Sequence, residues 1–332
     1  MKKHGNLAFF VPHIGCPCRC SFCDQRAISG EVDAPSPGRV QAECARFLPP
    51  AGSGQNMEIA FFGGSFTAVQ PAYMQALLKA AFPFVQAGRA AGIRVSTRPD
   101  AVGPEVLTVL KKYGVTAVEL GAQSMVEEVL AKNRRGHTAQ EVRRGAAAVR
   151  GAGFSLGVQM MIGLPFEGDL RAAALYTARE LIALGPDTAR IYPALTLAGT
   201  QMARWLEQGL YRPPSLKEAV EVSAEVLTLF EEAGVRVIRV GLHADPSLEK
   251  QLLAGPYHPA FRQLCEGERY LQRIRLALAQ RPAGVYTVKV APGELSTARG
   301  QRNKNVQTLA RQGAAVVFCE DAALKKGQFS IE

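Results

Sequence analysis

The chain has 332 residues, 47% of them apolar and 20% charged, with a formal net charge of +10. This is the composition of an ordinary globular protein, long enough for one large domain and a small one. No apolar run approaches the roughly eighteen residues of a membrane span, so no membrane partner is expected. The charge is uneven: residues 256–312 carry ten Arg or Lys against three Glu, and residues 132–150 carry six against one. Two such tracts suit a polyanionic partner or, on charge alone, solvated helix faces.

In chain order, "LAFFVPH" reads as a first strand. Its apolar run over residues 7–11 is too short for a signal peptide, so a cytoplasmic location with reduced thiols is expected. Four cysteines follow in "GCPCRCSFCDQ", residues 15–25. From residue 57 strands and helices alternate: "MEIAFFGG", then "PAYMQALLKAAFPFVQAG"; "GIRVSTRPD", then "PEVLTVLKKYG". "VTAVELGAQS" is the next strand, and "TAQEVRRGAAAVRGAG" a helix with Thr138 placed to cap it. "SLGVQMMIGLP" and "TARIYPAL" continue the strands, with "LRAAALYTARELIALG" between them, and "VRVIRVGL" comes later. Units of about thirty residues predict a parallel sheet with crossover helices. The fold class is therefore α/β, a partial (β/α)6 TIM-like barrel with its chemistry at the C-terminal strand ends.

After Asp245 the rhythm changes. "PAFRQLCEGERYLQRIRLALAQ" reads as one basic amphipathic helix. The tail then runs strand, helix, tight loop, helix, strand. The predicted domains are a core over 1–245, a helical connector over 246–282 and a small α+β unit over 283–332.

Cys16, Cys20 and Cys23 form C-x3-C-x2-C, with Cys18 inside the first gap. Three readings compete: a zinc site, a disulfide knot and an iron–sulfur cluster. Reduced thiols and an odd count of seven weigh against disulfides. Structural zinc asks for four ligands, usually two separated pairs, and no second Cys/His pair lies within thirty residues. Three thiolates on a four-iron cluster leave one iron open, as a catalytic centre requires.

These cysteines, with Phe22 before the last, resemble the motif of the radical S-adenosylmethionine (SAM) superfamily over residues 5–245. The resemblance implies a [4Fe–4S] cluster whose open iron chelates SAM, reductive cleavage to a 5′-deoxyadenosyl radical, and an electron donor such as flavodoxin or ferredoxin. It also implies a shell for the cofactor. "FFGGSFT" brings Gly63 and Gly64, whose carbonyls would accept from the SAM ammonium. "STRPD" brings Thr97, Arg98 and Asp100 to the same mouth, with Asp100 facing substrate. "ELGAQS" brings Glu119 and Gln123 to the cofactor's polar groups or the substrate, although a Glu–Arg contact that only holds the barrel explains Glu119 as well. "NRRGHT" offers Arg134 or Arg135 to the SAM carboxylate, and adjacency leaves the choice open. "VQMMIGLP" lines the adenine with its backbone at Met161, the Met160 and Met161 side chains reading as packing, and "RIYPAL" offers Tyr192 to the substrate.

The ordered strings "FGGSF", "TRPD", "VELGAQS", "NRRGHT", "MIGLP", "IYPALTLAGT" and "WLEQGLYRP" are similar to the elongator catalytic-subunit family. Such proteins modify the wobble uridine of transfer RNA with the help of an acetyltransferase domain. Fewer than ninety residues follow Asp245, too few for that domain, so the likeness supports the radical core and leaves acyl transfer from acetyl-CoA open. The tail resembles a KH core, which clamps a nucleic-acid backbone with a G-x-x-G loop. Arg299, Gly300, Arg302, Asn303 and Lys304 are the implied RNA contacts, with Asn303 replacing the second glycine. A unit that merely caps the barrel is the competing reading. A radical enzyme of the oxygen-independent coproporphyrinogen oxidase type, and an RNA-binding protein with a structural metal, complete the alternatives.

Overall fold

The computed structural model describes residues 4–12, 14–16, 19–31, 33–53, 55–243 and 245–332. Strand β1 (His4–Val11) leads through α1 (Gln25–Ser29) and α2 (Pro37–Phe47) to β2 (Asn56–Gly63). Then come α3 (Pro71–Gln86), β3 (Ile93–Thr97), α4 (Pro104–Lys112) and β4 (Val115–Gln123). Helices α5 (Glu127–Lys132) and α6 (Ala139–Gly151) precede β5 (Ser155–Ile162), and α7 (Leu170–Ala183) precedes β6 (Thr188–Pro193). A short β7 (Thr196–Leu197), α8 (Gln201–Glu207) and α9 (Leu216–Glu232) lead to β8 (Arg236–Val240).

These strands make one parallel sheet in the order β1-β2-β3-β4-β5-β6-β8, curled into a half-barrel. The sheet has seven strands, because the segment "VRVIRVGL" adds β8 beside β6. Period-two alternation sorts its faces. Ile59, Phe61, Val95, Val118, Leu120, Val158, Met160 and Ile191 face the helices and are buried in the main core. The inward positions are largely polar, whereas an ordinary barrel fills them with branched apolar side chains. Helix ends follow local chemistry: Thr138 and Glu141 form a capping box on α6, and Ser215 and Glu218 another on α9.

Beyond β8 comes α10 (Pro246–Gln251), whose Ser247 hydroxyl donates to the Ala27 carbonyl at 2.9 Å, and then β9 (Leu252–Ala254), which pairs with β7. Helix α11 (Phe261–Leu278) buries Phe261 and Cys265 in the main core and Tyr270, Leu271, Ile274 and Leu278 in a second one. The second core lies under β10 (Gly284–Val290), α12 (Leu295–Arg299), α13 (Lys304–Arg311), β11 (Ala314–Glu320) and β12 (Phe329–Ile331). Their sheet runs β11-β10-β12, with β10 parallel to β11 and antiparallel to β12. Among the described residues no helix is long and apolar enough to cross a membrane.

Candidate active site

The loop after β1 brings Cys16, Cys20 and Cys23 to the wall of a cavity of about 240 Å³ at the C-terminal strand ends. Cys18 lies outside the described residues. Neighbouring elements pin the loop. Ser21 donates to Asn133 Oδ1 at 2.5 Å and its carbonyl accepts from the Met202 amide at 2.9 Å. Asp24 caps α1, and Gln25 Nε2 donates to the Gly63 carbonyl at 2.9 Å. Gly64 packs so tightly on the loop that a Cβ there would lie 2.4 Å from the Ile14 carbonyl oxygen. The glycine pair therefore seats the cysteine loop as well as lining the cavity.

Burial first, then the charges of Cys20 and Cys16, push the Cys23 thiol up to about 12; burial also raises Cys16. Thiolates crowded in this way need a cationic partner, and coordination deprotonates a thiol outright. Among the described residues no group of three His, Cys, Asp or Glu side chains converges on a single ion. A four-iron cube accepts a wider triangle, since each cysteine reaches a different iron.

Other cavity atoms are unsatisfied. Arg135 is buried, donates from Nη1 to Cys20 Sγ at 3.0 Å and from Nη2 to the Gly121 carbonyl at 2.6 Å, and lies against Phe22. Its Nε, and Oε1 of Gln123, are buried without a partner among the described residues. A donor and an acceptor left bare beside three sulfurs fit a metal cluster together with a zwitterionic head group. Thr97, Met161 and Tyr192 also line this wall. The Thr97 hydroxyl pairs with Ser65 Oγ at 2.8 Å and Thr67 Oγ1 at 2.5 Å.

Several expected residues sit elsewhere. Of the adjacent arginines only Arg135 turns inward; Arg134 takes φ +55° and is exposed. Arg98 lines the cavity but is committed to Asp100, at 2.9 and 2.8 Å, and to the carbonyls of Arg135 and Gly136, at 2.6 and 3.0 Å. The pair thus fastens the turn that carries Arg135, and Asp100 does not line the cavity. Glu119 does not line it either. It is 1% exposed inside the barrel, bonded to Arg94 at 3.2 Å, Arg190 at 2.6 and 3.0 Å, and Gln159 at 3.0 Å. Burial alone would raise its pKa, but Arg190 and then Arg94 hold it below the usual carboxylate range. Removing one partner from such a pair costs about 3–5 kcal/mol. Arg190 and Gln159, which do line the cavity, were not anticipated. The signal was present in Arg190, two residues before Tyr192 and so on the same strand face.

The G-x-x-G-like loop stands apart from this cavity. Gly300, Arg302 and Asn303 have φ of +71°, +53° and +58°, and Gly300, Gln301 and Lys304 line a second crevice with Lys217 and Glu268. Arg302, Asn303 and Lys304 are exposed, whereas Arg299 is half-buried and donates to the Phe318 carbonyl at 3.2 Å. The basic tract 132–150 is largely spent within the fold, on Lys132–Glu128, Arg143–Glu180, Arg144–Glu141 and the Arg150 bond to the Leu184 carbonyl.

The family description of the radical SAM superfamily matches residues 10–176, and that of the Radical_SAM C-terminal domain matches residues 186–273. Elongator complex protein 3 of Homo sapiens is 34% identical over 139 residues, 42% of this chain and 25% of that protein. The tRNA uridine(34) acetyltransferase of Methanocaldococcus jannaschii is 29% identical over 135 residues, 40% of this chain and 25% of that protein. The match thus spans about a quarter of the length of these relatives. Among solved structures, Methanocaldococcus infernus Elp3 lacking its N-terminus superposes with a TM-score of 0.64 at 19% identity, covering 85% of this chain and 64% of that one. At that identity the likeness shows the fold.

Proposed function

This chain belongs to the radical SAM superfamily, and from that premise we propose that it modifies a nucleoside of RNA, a uridine of transfer RNA. The observation that carries the radical chemistry of this proposal is the convergence of Cys16, Cys20 and Cys23 with bare Arg135 Nε and Gln123 Oε1 on one cavity. Enzymes of this superfamily use a [4Fe–4S] cluster and SAM, which together supply a 5′-deoxyadenosyl radical able to abstract a substrate hydrogen. The three cysteines hold the cluster. Arg135 receives the SAM carboxylate, Gly63 and Gly64 the ammonium, and Phe22, Thr97, Gln123 and Met161 close around the rest. Tyr192 contacts substrate, and Arg98, Asp100 and Glu119 set the wall in place from behind.

The RNA substrate is supported by the similarity to proteins named for tRNA uridine(34) and the elongator complex. The unit over 283–332 serves as a KH-like grip, in which Arg302 and Lys304 meet phosphates beside the first amides of α13. A small redox protein such as flavodoxin or ferredoxin supplies the electron, and the chain works in the cytoplasm.

Anaerobic reconstitution with iron, sulfide, SAM and a strong reductant tests the chemistry. The parent should release 5′-deoxyadenosine, and Cys20→Ala should lose both the cluster's visible absorption and that product. Absence of 5′-deoxyadenosine from the parent would overturn the proposal. Mass spectrometry of nucleosides from cells with and without the protein tests the substrate, one modified uridine being the species that should disappear.

A further inference from the structure

Among the described residues, three arginines, Arg94, Arg190 and Arg239, lie on the inner face with two carboxylates, Glu58 and Glu119. Glu58 and Glu119 face inward and are engaged by Arg94 and Arg190. Across the β6–β8 pairing, Arg190 lies directly opposite Arg239, so both project from the same face of the sheet. Arg190 is neutralised by Glu119 and stacks on Phe62 at 4.8 Å. Arg239 is half-buried and has no salt bridge to a carboxylate among the described residues; burial and the Arg190 and Arg262 charges act against its own, although Arg262 is itself paired with Glu266 at 2.8 Å, and Tyr192 acts in its favour. His243, on the exposed rim four residues further, lies within the field of the same two arginines, Arg239 and Arg190.

A guanidinium kept partly out of water, with no carboxylate of its own among the described residues, is unfavourable unless a ligand completes it. Its planar fork matches the paired oxygens of a phosphate. The location suits a substrate. β8 is the last strand of the sheet, so Arg239 lies at the open seam, while Arg190, Tyr192 and Leu242 carry the same surface into the cavity holding the cysteines.

Resting on the RNA reading above, we propose that Arg239, backed by Arg190 and flanked by Tyr192 and His243, is a phosphate subsite that positions a phosphorylated nucleoside with its base toward the cluster. Arg190 is a positioning residue, since its own charge is spent on Glu119. The subsite is distinct from the basic loop at Arg302, which lines a different crevice.

The test uses the full chain with cluster and SAM loaded, comparing parent, Arg239→Gln and Arg239→Lys for binding of uridine monophosphate and of uridine. The parent should bind the nucleotide about tenfold more tightly than the nucleoside, the gain expected of one charge-assisted contact. Arg239→Gln should lose that gain with uridine affinity unchanged, and Arg239→Lys should keep part of it. Unchanged cluster absorption and thermal midpoint in the lysine variant guard against misfolding. No phosphate-dependent gain in the parent, or an equal gain in Arg239→Gln, overturns the subsite. A parent that shows the gain while cellular transfer RNA keeps all its nucleosides upholds the subsite and removes the RNA reading alone.

Discussion

Arg135 has its two terminal nitrogens bonded to Cys20 and Gly121 and its Nε bare and buried. A guanidinium held by two acceptors can present its remaining donor at a fixed angle, which a lysine ammonium cannot do. Arg135→Lys should therefore weaken SAM binding tenfold or more, measured from the SAM dependence of uncoupled cleavage, while Arg134→Ala should leave it within twofold. Two residues on, His137 is buried; that burial, then the Arg135 and Arg98 charges, bring its pKa down to about 4. The unfolded chain then binds a proton that the folded one refuses between about pH 6.5 and 4. Stability is full above about 6.5 and falls by about 3 kcal/mol as the pH drops through that window. Denaturant melts of His137→Gln should show a shallower acid loss than the parent; parallel profiles would refute the assignment.

Helix α6 shows propensity and packing at odds. Gly145 lies mid-helix, where alanine is ordinarily better by about 1 kcal/mol. A Cβ at Gly145, however, would lie 2.5 Å from the Pro99 carbonyl oxygen, in the turn that follows Arg98. Gly145→Ala should thus destabilise by about 1–3 kcal/mol, read as a lower urea midpoint, and should raise the SAM concentration needed because the Arg98 clamp on the Arg135 turn moves. A higher midpoint would show that the turn yields freely. The Thr138 cap on α6 behaves as the sequence reads, and like the capping box on α9 it involves residues only three apart.

The molecule divides its charge between two jobs. The barrel spends Arg94 and Arg190 on Glu58 and Glu119 and Arg135 on the cysteine loop, leaving Arg239 without a carboxylate among the described residues, and tract 132–150 pairs with Glu128, Glu141 and Glu180. In the small unit Arg302, Lys304 and Arg311 remain exposed, with no salt bridge among the described residues. If they grip RNA, changing Arg302 and Lys304 together to Ala should lower the slope of log K against log salt by about 1.5, at roughly 0.7–0.9 per phosphate contact. Fluorescence anisotropy of labelled transfer RNA over a salt series measures it. Equal slopes would assign the unit to capping the barrel.

Much of this was written in local pattern. The C-x3-C-x2-C spacing, the strand–helix rhythm, the Thr138 cap and the left-handed Asn303 depend on neighbours a few residues apart. The number of strands was not so legible, because β8 becomes part of the sheet only by pairing with β6. Nor was the choice between Arg134 and Arg135, which rests on a turn fastened by Arg98 some thirty-seven residues upstream. Glu119 reads alike as ligand or as strut until Arg94 and Arg190 close on it from two other strands. Spacing along the chain governs which groups a loop or helix can present. Which of them meet, and which is left without a counter-charge, depends on contacts between strands far apart in the sequence, and those exist only once the sheet has curled.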